Sequence, residues 1–203
     1  MATQRPLPAD VYPDTLSRLP PLQREHLNEA QQQAYDALTA PRAGRLHLAG
    51  LKGPGGVHLH MPKLAKARGD VNRMLRAELG LDARLIEVTI LATAREMHSQ
   101  FVWAMHEPVA RELGVPAATL DMIRHGTPLA GVPAKEAALI TLAREAVGAK
   151  QVTPATYAHA LAFFGEEDLL HDSLLIASYA QTAILLCIVG QELHEHQSPG
   201  LPE

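Results

Sequence analysis

The stretch whose reading decides the fold is DARLIEVTILATAREMHSQFVWAMHEPVARELG, residues 82–114. Asp82 stands where a helix N-cap belongs, with a carboxylate that can accept from the first free amides. The residues after Asp82 are mostly apolar or small, at the spacing of a buried helix, and the reading is a single helix over residues 83–106. Pro108 is expected to end or kink it, since proline lacks an amide donor and clashes one turn back. VARELG then gives a short continuation, with Gly114 as its stop.

The neighbouring segments carry the same kind of punctuation. Asn28 with Gln31 three residues on forms a capping box for EAQQQAYDALTA. Pro62 opens a helix closed by Gly80, with the apolar Leu64, Ala67, Val71, Met74 and Leu75 at helical spacing. PAATLDMIRHG (116–126) and PAKEAALITLAREAVGAK (133–150) come next, then a helix started by Thr153 and Pro154. The last helix is EEDLLHDSLLIASYAQTAILLCIVGQELHEH (166–196), whose acidic first turn suits the helix dipole. Residues 41–57 read as a Gly-rich loop, without a phosphate-binding glycine motif. No segment reads as a strand. The fold class is all-α, a compact bundle of roughly six to eight helices, with residues 1–27 as an extended proline-rich arm and 28–203 as one helical domain.

Composition narrows the function classes. The chain has 203 residues, enough to bury roughly two thirds of its unfolded surface without staples. Its net charge of -4, with both signs interspersed, lacks the basic footprint of a nucleic-acid binder. One cysteine, Cys187, excludes a disulfide framework within the chain. The N-terminal residues lack the apolar core of a secretory signal. The apolar run at 174–189 is interrupted by Ser178, Gln181 and Thr182 and reads as a buried helix rather than a membrane span. The expectation is a cytoplasmic protein with no membrane and no nucleic-acid partner.

Residues 96–115 hold His98, His106, Trp103 and Glu107 in an otherwise apolar setting, and buried polar groups need partners or a purpose. Ser99, Trp103 and His106 share one stripe of a helix, while His98, Val102 and His106 share the next. Glu87 lies nineteen residues before His106, about 100 degrees around an ideal helix, and no Gly or Pro between them forces a bend. A carboxylate near a histidine permits proton transfer at neutral pH. Spacing alone leaves two readings open, a catalytic pair or hydrogen-bonded core.

Several segments together resemble the carboxymuconolactone decarboxylase family, which includes the alkylhydroperoxidase D-like proteins. RLPPL followed by NEAQQQAYDAL is similar to the N-terminal section of the longer members. GVHLHMPKLAK resembles the family's "lhsPela" segment, matching at Leu59, His60, Pro62, Leu64 and Ala65. LGLDARLIEVTILATAR resembles "LpprlrElailrvar", FVWAMHEPVARELGV resembles "yeWaqHepiAreaGl", and IRHG comes after it. The likeness runs from about residue 18 to 190. In the redox branch a glutamate, two cysteines and a histidine recur at fixed spacing. Laid on this chain, the acid falls on Glu87 and the histidine on His106, but the thiol positions hold Ser99 and Val102. Disulfide exchange needs an attacking thiolate and a resolving thiol, so the two-cysteine peroxidase chemistry is not expected.

What the resemblance implies is the decarboxylase branch: an all-helical homo-oligomer (dimer, trimer or hexamer) that removes CO2 from a small carboxylated lactone without metal or organic cofactor. It implies His106 as proton donor or dienolate partner and Glu87 as its orienter. His60, Ser99, Trp103 and Arg95 are the candidate substrate contacts. Arg76, like Arg95, could meet a carboxylate, a solvated surface position being the more common role of either. Two departures from the pattern stand out: Val102 replaces a common glutamate, and the N-terminal segment is longer than in the decarboxylases themselves. The alternatives are a non-catalytic small-molecule-binding oligomer with a degenerate redox site, and residual peroxidase activity through Cys187. His194 and His196, two apart, fall on different faces of a helix, so no metal site is expected.

Overall fold

Nine consecutive residues, Ile86 to Ala94, are buried without a break. A helix buried on every face must be wrapped on every side, and this one is the element against which its neighbours in the chain pack. The structure, a computed structural model, describes residues 6–40 and 51–202. These are all-α: eight α-helices, with no β-strand among the described residues. The helices are α1 (Glu29–Thr39), α2 (Pro54–Leu59), α3 (Pro62–Arg73), α4 (Ala83–Glu96), α5 (Gln100–Glu112), α6 (Ala117–His125), α7 (Ala134–Ala143) and α8 (Pro154–Ile188). The chain divides into two compact units, one of residues 1–71 and 185–198, the other of residues 72–184 and 199–203.

In the first unit, residues 11–19 are tied down by the backbone. Tyr12 N–H donates to Ser17 O at 2.8 Å, Arg18 N–H to Val189 O at 2.7 Å, and Glu192 N–H to Leu16 O at 2.7 Å. Leu16 is buried. The Asn28 capping box forms as expected: Gln31 N–H donates to Asn28 Oδ1 at 3.0 Å, and Asn28 N–H donates to Gln31 Oε1 at 3.2 Å. The Gly-rich loop needs correcting at its end. Residues 54–57 open α2, with Pro54 at its first position, where a missing N–H does no harm. Residues 41–50 of that loop lie outside the described residues.

In the second unit, Asp82 caps α4 as expected, accepting from Arg84 N–H at 2.8 Å and Leu85 N–H at 3.2 Å. Around α4 pack α5, α6, α7 and a wide turn at Arg144–Ala149. Ile90, Leu91, Leu120, Leu139, Ile140 and Leu175 are each essentially inaccessible, and burying such a side chain stabilises the fold by about 1.5–3 kcal/mol.

The single helix expected over 83–106 is two helices. The chain leaves α4 at Met97, takes a left-handed turn at His98 (φ 49°), and re-enters a helix at Ser99. Ser99 Oγ accepts from Val102 N–H at 3.5 Å, an N-cap inside a segment with no glycine or proline to announce it. Pro108 does not end α5, which continues to Glu112. Side-chain bonds span the weakened turn: Trp103 Nε1–H donates to Glu107 at 2.8 Å and Arg111 donates to Glu107 at 2.6 Å, each four residues away.

Two further differences are local, and the break at Gly165 falls where it was expected. After α3 the helix widens into an i→i+5 turn over Met74–Glu78, and the apolar stripe expected there is exposed at Leu64, Val71 and Met74, with Leu75 buried. α8 breaks at Gly165 (φ 72°, ψ 178°), which separates the two helices expected at 154–164 and from 166 onward. The second of these stops at Ile188, with Gly190 at φ 59°, so residues 191–196 do not continue it. Among the described residues, α8 is the one helix long and apolar enough to cross a membrane.

Candidate functional site

Turning the chain back at Met97–Ser99 lays α5 against α4 and brings two sequence-distant polar groups together in the second unit. Glu87 Oε2 lies 2.6 Å from His106 Nδ1. A carboxylate can only accept, so Nδ1 carries the hydrogen and donates. The side chains are 3% and 6% exposed. The other carboxylate oxygen, Glu87 Oε1, accepts from Arg76 Nη2 at 3.1 Å. Arg76 comes from the wide turn after α3, a geometry often found at functional sites. Tyr179 of α8 sets its ring edge-on to the imidazole, with centroids 5.2 Å apart. Burial raises the Tyr179 phenol above its ordinary value; Arg76 opposes the shift and Glu87 adds to it. The phenol therefore stays neutral and able to donate.

Both oxygens of Glu87 are thus engaged, and its two partners are fixed. The imidazole is held in one tautomer, leaving Nε2 without a hydrogen-bond partner among the described residues. The arrangement has one ring nitrogen clamped and one available, which is what a proton-transferring histidine requires.

The other residues singled out from the sequence lie elsewhere. Ser99 caps α5 and is half-buried. Trp103 is fully buried, donates to Glu107, and carries the Arg124 guanidinium 5.3 Å from its ring centroid. Arg95 donates from Nε to Arg124 O at 2.7 Å, near the C-terminus of α6. None of the three bonds to Glu87 or His106. His60 belongs to the first unit, where it lines a cavity of about 330 Å³ with Asp14, Ser17, Tyr35 and Val57, and burial holds its pKa below the ordinary value. Cys187 is exposed and also belongs to the first unit. Val102, at one of the two thiol positions of the redox pattern, is buried.

Sequence reasoning passed over Tyr179, which read as part of an apolar run; Arg76 was named as a possible carboxylate partner, and the carboxylate it meets is that of Glu87.

Glu107 anchors a second charged cluster. Burial opposes its ionisation, but bonds from Arg111 and Trp103 and the charge of Arg124 outweigh that and hold the carboxyl below its ordinary value. Asp172 is the opposite case. It is 2% exposed and its Oδ2 has no partner among the described residues. Burial, and then the charge of Asp168, push it from 3.8 up to about 7. The folded state binds this proton more tightly than the unfolded chain. Its stabilising contribution is therefore complete below pH 3.8 and is lost as pH rises through about 7. Asp172→Asn is expected to be more stable than the native chain at pH 8 by about 1–3 kcal/mol, with the gap closing toward pH 4. Urea unfolding at both pH values checks this; an equal gap at both would remove the assignment.

A second cavity of about 380 Å³ in this unit is lined by Leu142, Tyr157, Glu166, Leu169, Ser173 and Ile176 among others, and neither cavity includes Glu87 or His106. No group of three or more metal-ligating side chains occurs among the described residues.

Compared with known families, residues 62–144 match the model of the carboxymuconolactone decarboxylase family. That span contains α4, α5, Arg76, Glu87 and His106. No curated protein and no solved structure gives a match.

Proposed function

We propose that this chain, which carries a carboxymuconolactone decarboxylase family region at residues 62–144, is a cofactor-independent lyase acting on a small carboxylated lactone or a related acid. The observation that carries the reading is the buried Glu87–His106 pair at 2.6 Å with Nε2 left unpaired. In this reading the bond between the lactone ring and its carboxylate breaks. CO2 leaves, and the electron pair passes into the conjugated carbonyl as a dienolate. His106 takes up a proton from water at its free Nε2, passes that proton to carbon, and returns to the tautomer with its hydrogen on Nδ1. Glu87, through Nδ1–H, keeps the ring aimed. Donors around the dienolate stabilise charge as it develops, and the neutral Tyr179 hydroxyl is one candidate donor. No step requires a thiol, a metal or an organic cofactor.

We place the protein in the cytoplasm as a homo-oligomer. Support for self-association comes from α8, where Leu170, Leu174, Ala177, Gln181 and Ile184 are exposed at alternating spacings of four and three, the pattern of a helix seam.

The test is ultraviolet absorbance of 4-carboxymuconolactone incubated with the native protein. Steady consumption with release of CO2 is the expected result. A second reading, a small-molecule-binding oligomer without turnover, draws on the closure of the dyad away from both cavities. It predicts ligand binding and no consumption, and that outcome would replace the first.

A further inference from the structure

We propose that Arg76 is the substrate-anchoring residue of this site, binding the carboxylate of an acidic ligand with the part of its guanidinium that Glu87 does not use. The inference rests on the acid–histidine reading for its location and extends it to the class of ligand.

A guanidinium carries five N–H donors in a planar fork. Arg76 gives one nitrogen, Nη2, to Glu87 Oε1 at 3.1 Å. Its Nε is enclosed and has no partner among the described residues, and no protein acceptor meets Nη1 there either. Holding Glu87 through one nitrogen is work that a lysine could do. The end of the fork, Nη1 with the second N–H of Nη2, matches the two oxygens of a second carboxylate.

Accessibility points the same way. The Arg76 side chain is 24% exposed, while Glu87 and His106 are 3% and 6% exposed. Arg76 is therefore the member of the cluster that bridges from solvent to the buried pair. An anionic ligand approaching His106 also approaches the Glu87 carboxylate, which repels it. A positive group shared between that carboxylate and the ligand removes the obstacle.

The other arginines of this unit are engaged elsewhere. Arg73 pairs with Glu78, Arg84 with Glu136, Arg95 with Arg124 O, Arg111 and Arg124 with Glu107, and Arg144 with Thr127 O and Met122 O. Among the described residues, Arg76 is the arginine that touches the dyad.

The experiment is calorimetric binding of muconolactone, a lactone monoanion, and of its methyl ester, to the native protein, Arg76→Lys, Arg76→Gln and His106→Asn. The native protein is expected to bind the acid about tenfold to a hundredfold more tightly than the ester, the range of a charged hydrogen-bonded contact. Arg76→Lys keeps charge but loses the fork and should lose most of that preference. Arg76→Gln should lose all of it, while the ester binds as before. His106→Asn should retain the preference. A purely structural Arg76 would weaken acid and ester alike. Equal binding of acid and ester by the native protein overturns the proposal, as does binding of neither, or an undiminished preference in Arg76→Gln. If Arg76→Gln does not fold, Arg76→Lys decides. Acid preference without any turnover of 4-carboxymuconolactone leaves the anchor standing and removes the lyase reading.

Discussion

His106→Asn is expected to lower kcat for the carboxylated lactone by about 10²–10⁴-fold, the range for loss of a general acid or base, with little change in melting temperature. Asparagine suits the test because its amide nitrogen can take the place of Nδ1 and keep donating to Glu87 Oε2. What disappears is the unpaired Nε2, the atom that takes up a proton and passes it on. Alanine would add a second effect. It would leave one oxygen of a 3%-exposed carboxylate without its partner, a loss of about 1–3 kcal/mol. Steady-state kinetics on the asparagine variant, with a thermal melt as control, reads the chemistry alone. A rate within tenfold of native, from a folded variant, would take the proton-donor role away from His106.

Glu87→Ala carries the largest expected loss of stability, about 3–5 kcal/mol, as for breaking a buried ion pair from one side. Two partners are stranded at once: the Arg76 guanidinium, whose Nε is already unpaired, and the Nδ1–H of His106. Glu87→Gln should lose less, about 1–3 kcal/mol. Its amide offers one acceptor and one donor, so either Arg76 faces an N–H or His106 must switch tautomer. Switching would move the imidazole hydrogen to Nε2 and turn off proton uptake at that atom. The rate should therefore fall even where the fold survives. Urea midpoints for the three proteins give the stability order. A loss under about 1 kcal/mol in the alanine variant would mean that solvent reaches this pair and that the site is not closed.

Much of the helical frame is legible because end signals are local. Asn28 with Gln31, Asp82 before α4, Gly126 at φ 66° and the Gly165 break all act through groups adjacent in sequence. The turn at His98 was not legible for the same reason reversed. Positive φ is uncommon for any residue but glycine, so EMHSQ, which has no glycine, marks a break only through Ser99, whose capping role shows once the chain has turned. Glu87 and His106 were singled out by a family pattern, while helical arithmetic had set them about 100 degrees apart on one rod. The arithmetic was sound for a rod that does not exist. Trp103 and Arg95 carried the look of site residues, yet each has a partner that only tertiary structure supplies, Glu107 in one case and the α6 C-terminus in the other. Arg76 could be named only as a possible carboxylate partner, because which acid it meets, Glu87, is settled across a helix boundary.

The tight connection between α4 and α5 also bears on how the protein comes into being. Only nineteen residues separate the acid from its histidine. The entropy lost in closing a segment grows slowly with its length and is small for one so short. Helical hairpins of this size reach their contacts far sooner than pairings between remote parts of a chain. The contact between Glu87 and His106 is thus expected to form by local collapse, ahead of the contact with Tyr179, more than seventy residues further on. During synthesis the imidazole and carboxylate would meet while most of α8 was still unmade.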